Sequence, residues 1–481
     1  MKVALVTVHA SATFIPLSLL YLKAVLVERH GRARESIDIL EFPKGTAADA
    51  IIERVLATGA DVLGLSCYVW NVEVLMAAAA QLKVLRPALT VVLGGPEVGP
   101  VGRDVLERHP SVDVVVRSEG EQPFPAILDR LESGASLADV PGIYYRVEQE
   151  ARSEERILDT GDAPILRDLN ELPSPHLGGY VDATDRRIVC IETQRGCVFR
   201  CNFCFYNKDL SIRNRRFDLD RVKAEILYWL ERDVREIFLM DPVFNLNAER
   251  TKEICRFIAE HNTRQVPFHA EIWAEFVDQE AARLFREANI QFLEVGLQTT
   301  DDGVLATVER RLKMQKFMDG IDYLKREGLP FELQLIYGLP GETRASFRKS
   351  LNFAASLEPP FLAVFPLMVL PGTELWNKAE ALRIEFSDKP PYFVERHMTM
   401  SADDMAYGHR VSDAVVHLQT ARSIQLLSRE PGMSMADLVD EWIEWQGQSN
   451  SDLPRFVDHV CASRRIQPEF YRAFALAEIS Q

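Results

Sequence analysis

Cys197, Cys201 and Cys204 stand in the run Glu192-Thr-Gln-Arg-Gly-Cys-Val-Phe-Arg-Cys-Asn-Phe-Cys-Phe-Tyr206. Thiols packed this tightly are metal ligands by type. A closed structural zinc site takes four ligands, and an all-cysteine iron–sulfur cluster takes four cysteines. A set of three leaves one coordination position for a substrate or cofactor, so the spacing C-x3-C-x2-C points to catalysis before scaffolding. Zinc completed by a distant Cys or His, and a redox cysteine cluster, both stay open on spacing alone. The other cysteines, Cys67, Cys190, Cys255 and Cys461, are scattered along a long, core-rich chain that has no need of a disulfide framework.

With the aromatic Phe203 before the third cysteine, the run resembles the radical S-adenosylmethionine superfamily. The likeness extends over roughly residues 1–390 and is closest to members with an N-terminal cobalamin-binding-type domain. The resemblance implies that the three cysteines hold a [4Fe-4S] cluster whose fourth iron takes the amine and carboxylate of S-adenosylmethionine (SAM). Reductive cleavage then yields a carbon radical, which the protein must position and enclose. It also implies a reducing partner such as flavodoxin or ferredoxin. One outcome is cobalamin-dependent methyl transfer to an unactivated centre of a small molecule. The other is a radical enzyme without cobalamin turnover, performing rearrangement, ring formation or transfer of another SAM-derived fragment.

These residues need strands to place them. Over residues 1–145, apolar runs at Lys2–Val8, Ile37–Phe42, Asp61–Cys67, Thr90–Gly94 and Val112–Val116 alternate with helical stretches. That alternation predicts a doubly wound, Rossmann-like parallel sheet, with ligands beyond the carboxyl ends of its strands. Two loops lie at that edge, Gly64-Leu-Ser-Cys-Tyr-Val-Trp-Asn71 and Gly94-Gly-Pro-Glu-Val-Gly-Pro100. They resemble two cobalamin-domain signatures, which implies corrin or nucleotide-tail contacts at Ser66, Tyr68, Gly94 and Gly95. The third signature, Asp-x-His-x-x-Gly, is missing, and His9 stands in its region without the pattern. Cobalamin held without a protein axial histidine, and a domain that keeps the fold without the cofactor, both remain open.

Residues 146–186 read as a linker broken at Leu172-Pro-Ser-Pro-His176. From 187 to 375, βα units resume and predict a partial or full TIM-type barrel, with the cysteine loop after its first strand and the active site at the carboxyl ends. The resemblance then marks strand-end residues for SAM: Asp241 for the ammonium, Glu271 for ribose hydroxyls, Glu294 and Gln298 beside adenine and ribose, Gly338 near adenine, and Arg310 for the carboxylate. Strand-end acids also cap helices, and Gly-Leu-Pro-Gly is also a generic turn. Val198 replaces the proline frequent after the first cysteine, and the second-strand loop lacks the frequent Gly-Gly-Glu-Pro form.

Residues 376–481 read as a mostly helical cap that closes the barrel over substrate, with Trp442 and Trp445 as packing residues. A net charge of -16 over 481 residues gives no footprint for nucleic acid or an anionic membrane, and no apolar run reaches spanning length. The apolar start Met1–Val8 lacks a signal-peptide layout, so the expectation is a cytoplasmic enzyme of a small-molecule substrate.

Overall fold

Short runs of Val, Ile and Leu become the strands of two parallel sheets in the computed structural model. The structure describes residues 1–11, 14–147, 157–181, 188–207, 214–419, 421–447, 449 and 452–479. The first sheet contains β1 (Val3–Val8), β2 (Ile37–Phe42), β3 (Val62–Ser66), β4 (Thr90–Gly94), β5 (Val114–Val116), β6 (Ile143–Arg146) and β7 (Ile157–Asp159). Its order is β2-β1-β3-β4-β5-β6-β7, parallel through β5 and antiparallel beyond. Helices α1 (Leu17–Glu28), α2 (Ala48–Thr58), α3 (Val72–Leu85), α4 (Gly102–Arg108) and α5 (Pro123–Ser133) connect the strands. Every residue of β1 and β3 is buried, so both faces of the sheet need helical cover. Strand order reverses between β1 and β3, and the loops leaving those strands flank the switch point.

The linker expected over 146–186 is in part sheet. Ile157 packs into the first domain's core, and β7 pairs with β6 as a seventh strand. Tighter anchoring follows at His176, which is fully buried and accepts a 3.0 Å hydrogen bond from Trp229 Nε1. Within that linker, residues 148–156 lie outside the described residues.

The second sheet is formed by β8 (Ile188–Ile191), then, past the two-residue pair β9 (Gln194–Arg195) and β10 (Arg215–Arg216), by β11 (Glu236–Leu239), β12 (Phe268–Ile272), β13 (Ile290–Gln298), β14 (Phe331–Tyr337) and β15 (Phe361–Pro366). These six strands lie in chain order and pair in parallel as an open, partial barrel. Between them run α6 (Leu219–Leu230), α7 (Ala248–His261), α8 (Gln279–Glu287), α9 (Asp302–Thr307), α10 (Met314–Arg326) and α11 (Arg344–Ser356). Period-two alternation buries Phe268, Ala270, Leu293, Val295, Leu333 and Leu335 on one face. The other face of the same strands carries the half-buried His269, Glu271, Glu294, Gln298, Glu332 and Gln334. An interior this polar serves a ligand better than a core.

Past β15 come α12 (Glu374–Lys378), the hairpin β16 (Glu385–Phe386) and β17 (Val394–Arg396), and helices α13 (Ala402–Leu418), α14 (Arg422–Leu427), α15 (Met435–Trp445), α16 (Leu453–Arg464) and α17 (Glu469–Ile479). Helix α13 packs along β15, and α15 packs on α13 and α11. The Ser412 hydroxyl donates to Val364 O at 2.6 Å and Gln419 Oε1 accepts from Leu362 N–H at 2.8 Å, which satisfies the free edge of β15. Arg348 of α11 binds Asp437 of α15 at 2.6 Å. Trp442 is buried against Trp445 and Phe456, as packing residues should be. The hairpin loop reaches toward the first domain, where the Tyr392 hydroxyl donates to Glu97. Among the described residues no helix is long and apolar enough to cross a membrane.

Candidate active site

The cysteine loop leaves the end of β8, and its neighbours hold its backbone. Asp241, just past β11, accepts from Thr193 N–H at 2.7 Å, Gln194 N–H at 3.0 Å and the Thr193 hydroxyl at 2.5 Å. Its side chain is wholly buried, and burial pushes its pKa up to about 7 against those three donors. The expectation that Asp241 receives the SAM ammonium is therefore corrected. Its oxygens are committed to the backbone at the root of the loop, the capping role open to any strand-end acid. On the far side, Asn202 N–H donates to Val308 O, its Nδ2 to Thr307 O, and Leu375 N–H donates to Asn202 O.

Cys201 is buried, while Cys197 and Cys204 are half-buried. Burial is the first cause that raises the Cys204 thiol, to about 12, and the neighbouring Cys201 and Cys197 add to it. A thiolate in this locality needs a strong nearby positive charge, which is what a metal centre supplies. Among the described residues no three His, Cys, Asp or Glu side chains converge as they would around one ion. An iron–sulfur cluster sets its cysteines on different irons, so it does not require that convergence.

Arg310 is placed to receive an anion. Only 8% exposed, it sits with Nη1 3.8 Å from Cys201 Sγ, Nη2 against the Gly296 carbonyl, and its guanidinium 4.4 Å from the centre of the Trp273 ring. Among the described residues it has no carboxylate partner, and its Nε is buried without an acceptor. A buried guanidinium left this way fits the carboxylate of SAM bound beside the cluster. Gln298 points the same way: its Oε1 is buried without a donor and its φ of 68° is left-handed. Strain of that kind in a non-glycine residue gathers at ligand sites.

The two strand acids have separate fates. Glu294 accepts from His269 Nε2 and Gln334 Nε2, both at 2.9 Å, so its oxygens are occupied within the strand face. Burial opposes its charge, yet the His269 hydrogen bond and charge hold it below the usual carboxylate range. The expectation of a direct cofactor contact at Glu294 gives way to a positioning role. Among the described residues, Glu271 takes no such bond. Burial, then the adjacent Glu294 charge, raises its carboxyl to about 7, and it faces Cys204 and Tyr206. Phe203 packs half-buried on the barrel core. Gly338, expected near adenine, has φ 85°, and a Cβ there would meet Met405 Cε at 2.5 Å, so α13 packs on this turn.

At the first sheet's edge, Asn71 ties the loop after β3 to β1, donating to Val8 O and Ser66 O and accepting from Tyr68 N–H. Ser66 is itself buried. Tyr68 and Trp70 stack with centroids 4.5 Å apart, and Trp70 remains 42% exposed, a broad aromatic plane at the switch point. A Cβ on Gly94 would have only Val116 within 4 Å, at 3.9 Å, so that side is open to a ligand. Gly95 differs: φ is 109° and a Cβ would strike Cys67 O at 2.4 Å, so loop-on-loop packing requires the glycine. His9 is bonded to Glu41 at 2.7 Å. An exposed aromatic plane beside an open glycine fits a corrin held without a protein imidazole.

Ion pairs missed in the sequence bring the two edges together. Arg195, two residues before Cys197, meets Glu121 at 2.7 Å, Glu119 at 3.6 Å and Glu192 at 3.0 Å. Arg215, which pairs with Arg195 across β9 and β10, meets Glu119 at 2.5 Å. Their sequence signal was Glu119-Gly-Glu121 at the carboxyl end of β5. Phe199 and Trp273, stacked at 3.5 Å, had no comparable signal.

Residues 191–354 match the family model of the radical SAM superfamily, and residues 3–128 match that of the B12 binding domain. The cobalamin-dependent radical SAM methyltransferase TokK of Streptomyces tokunonensis is 32% identical over 70% of this chain and 50% of its own length. A 2-(S-pantetheinyl)-carbapenam-3-carboxylate methyltransferase of Streptantibioticus cattleyicolor is 32% identical over 61% of this chain and 45% of its own. The chain thus spans about half the length of these curated relatives. Among solved structures, the fold matches the methyltransferase TsrM of Kitasatospora setae with tryptophan and a SAM analogue bound, at 14% identity and a TM-score of 0.68 over 93% of this chain and 96% of that one. It also matches the cobalamin-dependent radical enzyme OxsB with aqua-cobalamin and SAM bound, at 15% identity and a TM-score of 0.65, over 99% and 74%.

Proposed function

We propose, because this chain belongs to the radical SAM superfamily and carries a B12 binding domain ahead of its barrel, that it is a cobalamin-dependent methyltransferase acting on an unactivated centre of a small molecule. The observation that carries this reading is the Arg195 clamp on Glu119 and Glu121, which sets the cysteine loop against the switch-point domain. Tyr206 interacts electrostatically with Cys204, Glu271 and Tyr68, which supports two cofactor sites that border one space. The activities named for TokK and the carbapenam enzyme support methyl transfer.

Cys197, Cys201 and Cys204 hold the cluster, Arg310 receives the SAM carboxylate, and Glu271 accepts from its ammonium or ribose. Gln298 offers its free oxygen to the nucleoside. The Tyr68–Trp70 plane and Gly94 receive the corrin. Bound there, the cluster with SAM supplies a reductively generated radical and cobalamin supplies a methyl carrier. Asp241, His269 and Glu294 touch none of these; they hold the loop and the strand face in place. Docking of the two domains excludes water from the space between them. A reducing protein must deliver the electron.

Anaerobic reconstitution with iron and sulfide, after expression with cobalamin, tests the reading. The holoenzyme should show thiolate-to-iron charge transfer and cobalamin bands together. With dithionite and methyl-labelled SAM it should form 5′-deoxyadenosine and S-adenosylhomocysteine. Protein that never retains cobalamin refutes the methyltransferase assignment.

A further inference from the structure

We propose that the outer wall of the cysteine loop is the docking surface for a flavodoxin, a carrier with an acidic face around an apolar flavin edge; this rests on the radical SAM reading above. The chain carries 71 acidic and 55 basic residues, so a solvent-facing cluster of free cations is against its overall trend. One lies here. Arg200, Arg311, Lys313 and Lys316 are exposed, and none has an acidic side chain within ion-pairing distance among the described residues. Around them, Val198 is 54% and Phe276 40% exposed, giving an apolar centre.

Four contacts hold these residues in one neighbourhood. Phe199 stacks on Phe276 at 6.1 Å, which places the loop against the turn Ala274–Phe276. Lys313 N–H donates to Glu275 Oε1 at 2.8 Å in that same turn. Asn202 N–H donates to Val308 O, and Arg310, next to Arg311, reaches Cys201. Of the nearby acids, Glu309 pairs with Lys378 at 3.2 Å, while Glu275 accepts that amide and keeps its charge, which leaves the four cations in excess. Val198 and Arg200 lie between Cys197 and Cys201 in sequence, so a carrier seated here stands next to the cluster. An apolar centre ringed by cations complements a flavin's dimethylbenzene edge ringed by carboxylates, and charge of this kind acts chiefly on the association rate.

The test uses reconstituted holoenzyme and flavodoxin hydroquinone, with cluster bleaching followed by stopped flow across ionic strength, beside a dithionite control. A triple variant, Arg200→Glu, Lys313→Glu and Lys316→Glu, should bleach at least about tenfold more slowly with flavodoxin at low salt, the gap closing at high salt. Its dithionite rate should equal that of wild type. An unchanged flavodoxin rate, or an equal slowing with dithionite, overturns the docking surface. Ferredoxin slowed as much as flavodoxin, with flavodoxin binding unaltered, overturns the choice of carrier. Absence of any bleachable cluster in wild type instead defeats the radical SAM reading, a separate outcome.

Discussion

Asp241 separates two accounts of one carboxylate. As a SAM contact it would be expendable for folding and needed for binding; as the tether seen here the reverse holds. Asp241→Ala strips two buried amides, Thr193 N–H and Gln194 N–H, and one hydroxyl of their acceptor. Each buried donor left unsatisfied costs about 1–3 kcal/mol, so the two amides alone cost roughly 2–6 kcal/mol. Asp241→Asn keeps an acceptor for both amides, since both bind Oδ1, and its amide can donate to the rotated Thr193 hydroxyl. It also removes the penalty of a buried ionised acid. Burial raises the folded pKa to about 7, so unfolded carboxylates ionise first and wild-type stability from this group falls as pH climbs toward about 7. Asn should therefore equal or exceed wild type at pH 8. Urea unfolding, with an m-value of about 3 kcal/mol/M, should place the Ala midpoint lower by about 1 M and leave Asn within about 0.3 M. SAM affinity of the Asn variant, measured by equilibrium dialysis, should stay within about threefold of wild type. An Asn variant of normal stability that has lost tenfold or more in SAM affinity would refute the tether.

Three further outcomes are expected. Arg310→Met should weaken SAM binding by about 10- to 100-fold, the loss of a charge-assisted contact worth about 1.5–3 kcal/mol, while unfolding midpoints change little because no carboxylate partner is orphaned. Calorimetric titration with SAM checks it, and unchanged affinity removes Arg310 from the site. Cys201→Ala should abolish charge-transfer absorbance and SAM cleavage together; turnover retained in that variant defeats the radical proposal. Glu97→Gln should flatten the stability profile between about pH 4.5 and 7 and gain at most roughly 3 kcal/mol at pH 8, because burial raises Glu97 to about 7 and its ionised form is the disfavoured one. Denaturant midpoints at pH 5 and pH 8 decide it, and parallel profiles for variant and wild type count against the buried acid.

Local pattern carries local information. Alternation of apolar runs and helical stretches made both sheets legible, because hydrophobic period and turn residues are written in neighbouring positions. The cysteine triplet was legible for the same reason: its ligands lie on one short loop. Asp241 and Glu271 read alike as strand-end acids, yet one is spent on Thr193 and the other takes no hydrogen bond among the described residues, since spacing fixes a strand's face and not the partners its side chains meet. The strand at Ile157–Asp159 escaped notice because three residues carry too little periodicity.

By itself, then, the sequence determined the fold class, the three-cysteine loop and the likeness to the radical SAM superfamily. Tertiary structure decided which acids are available, that the C-terminal helices seal the β15 edge, and that Glu119 and Glu121 bring the first domain to Arg195. Those pairings span 74 or more positions, and contacts so distant in sequence are set by how whole domains pack.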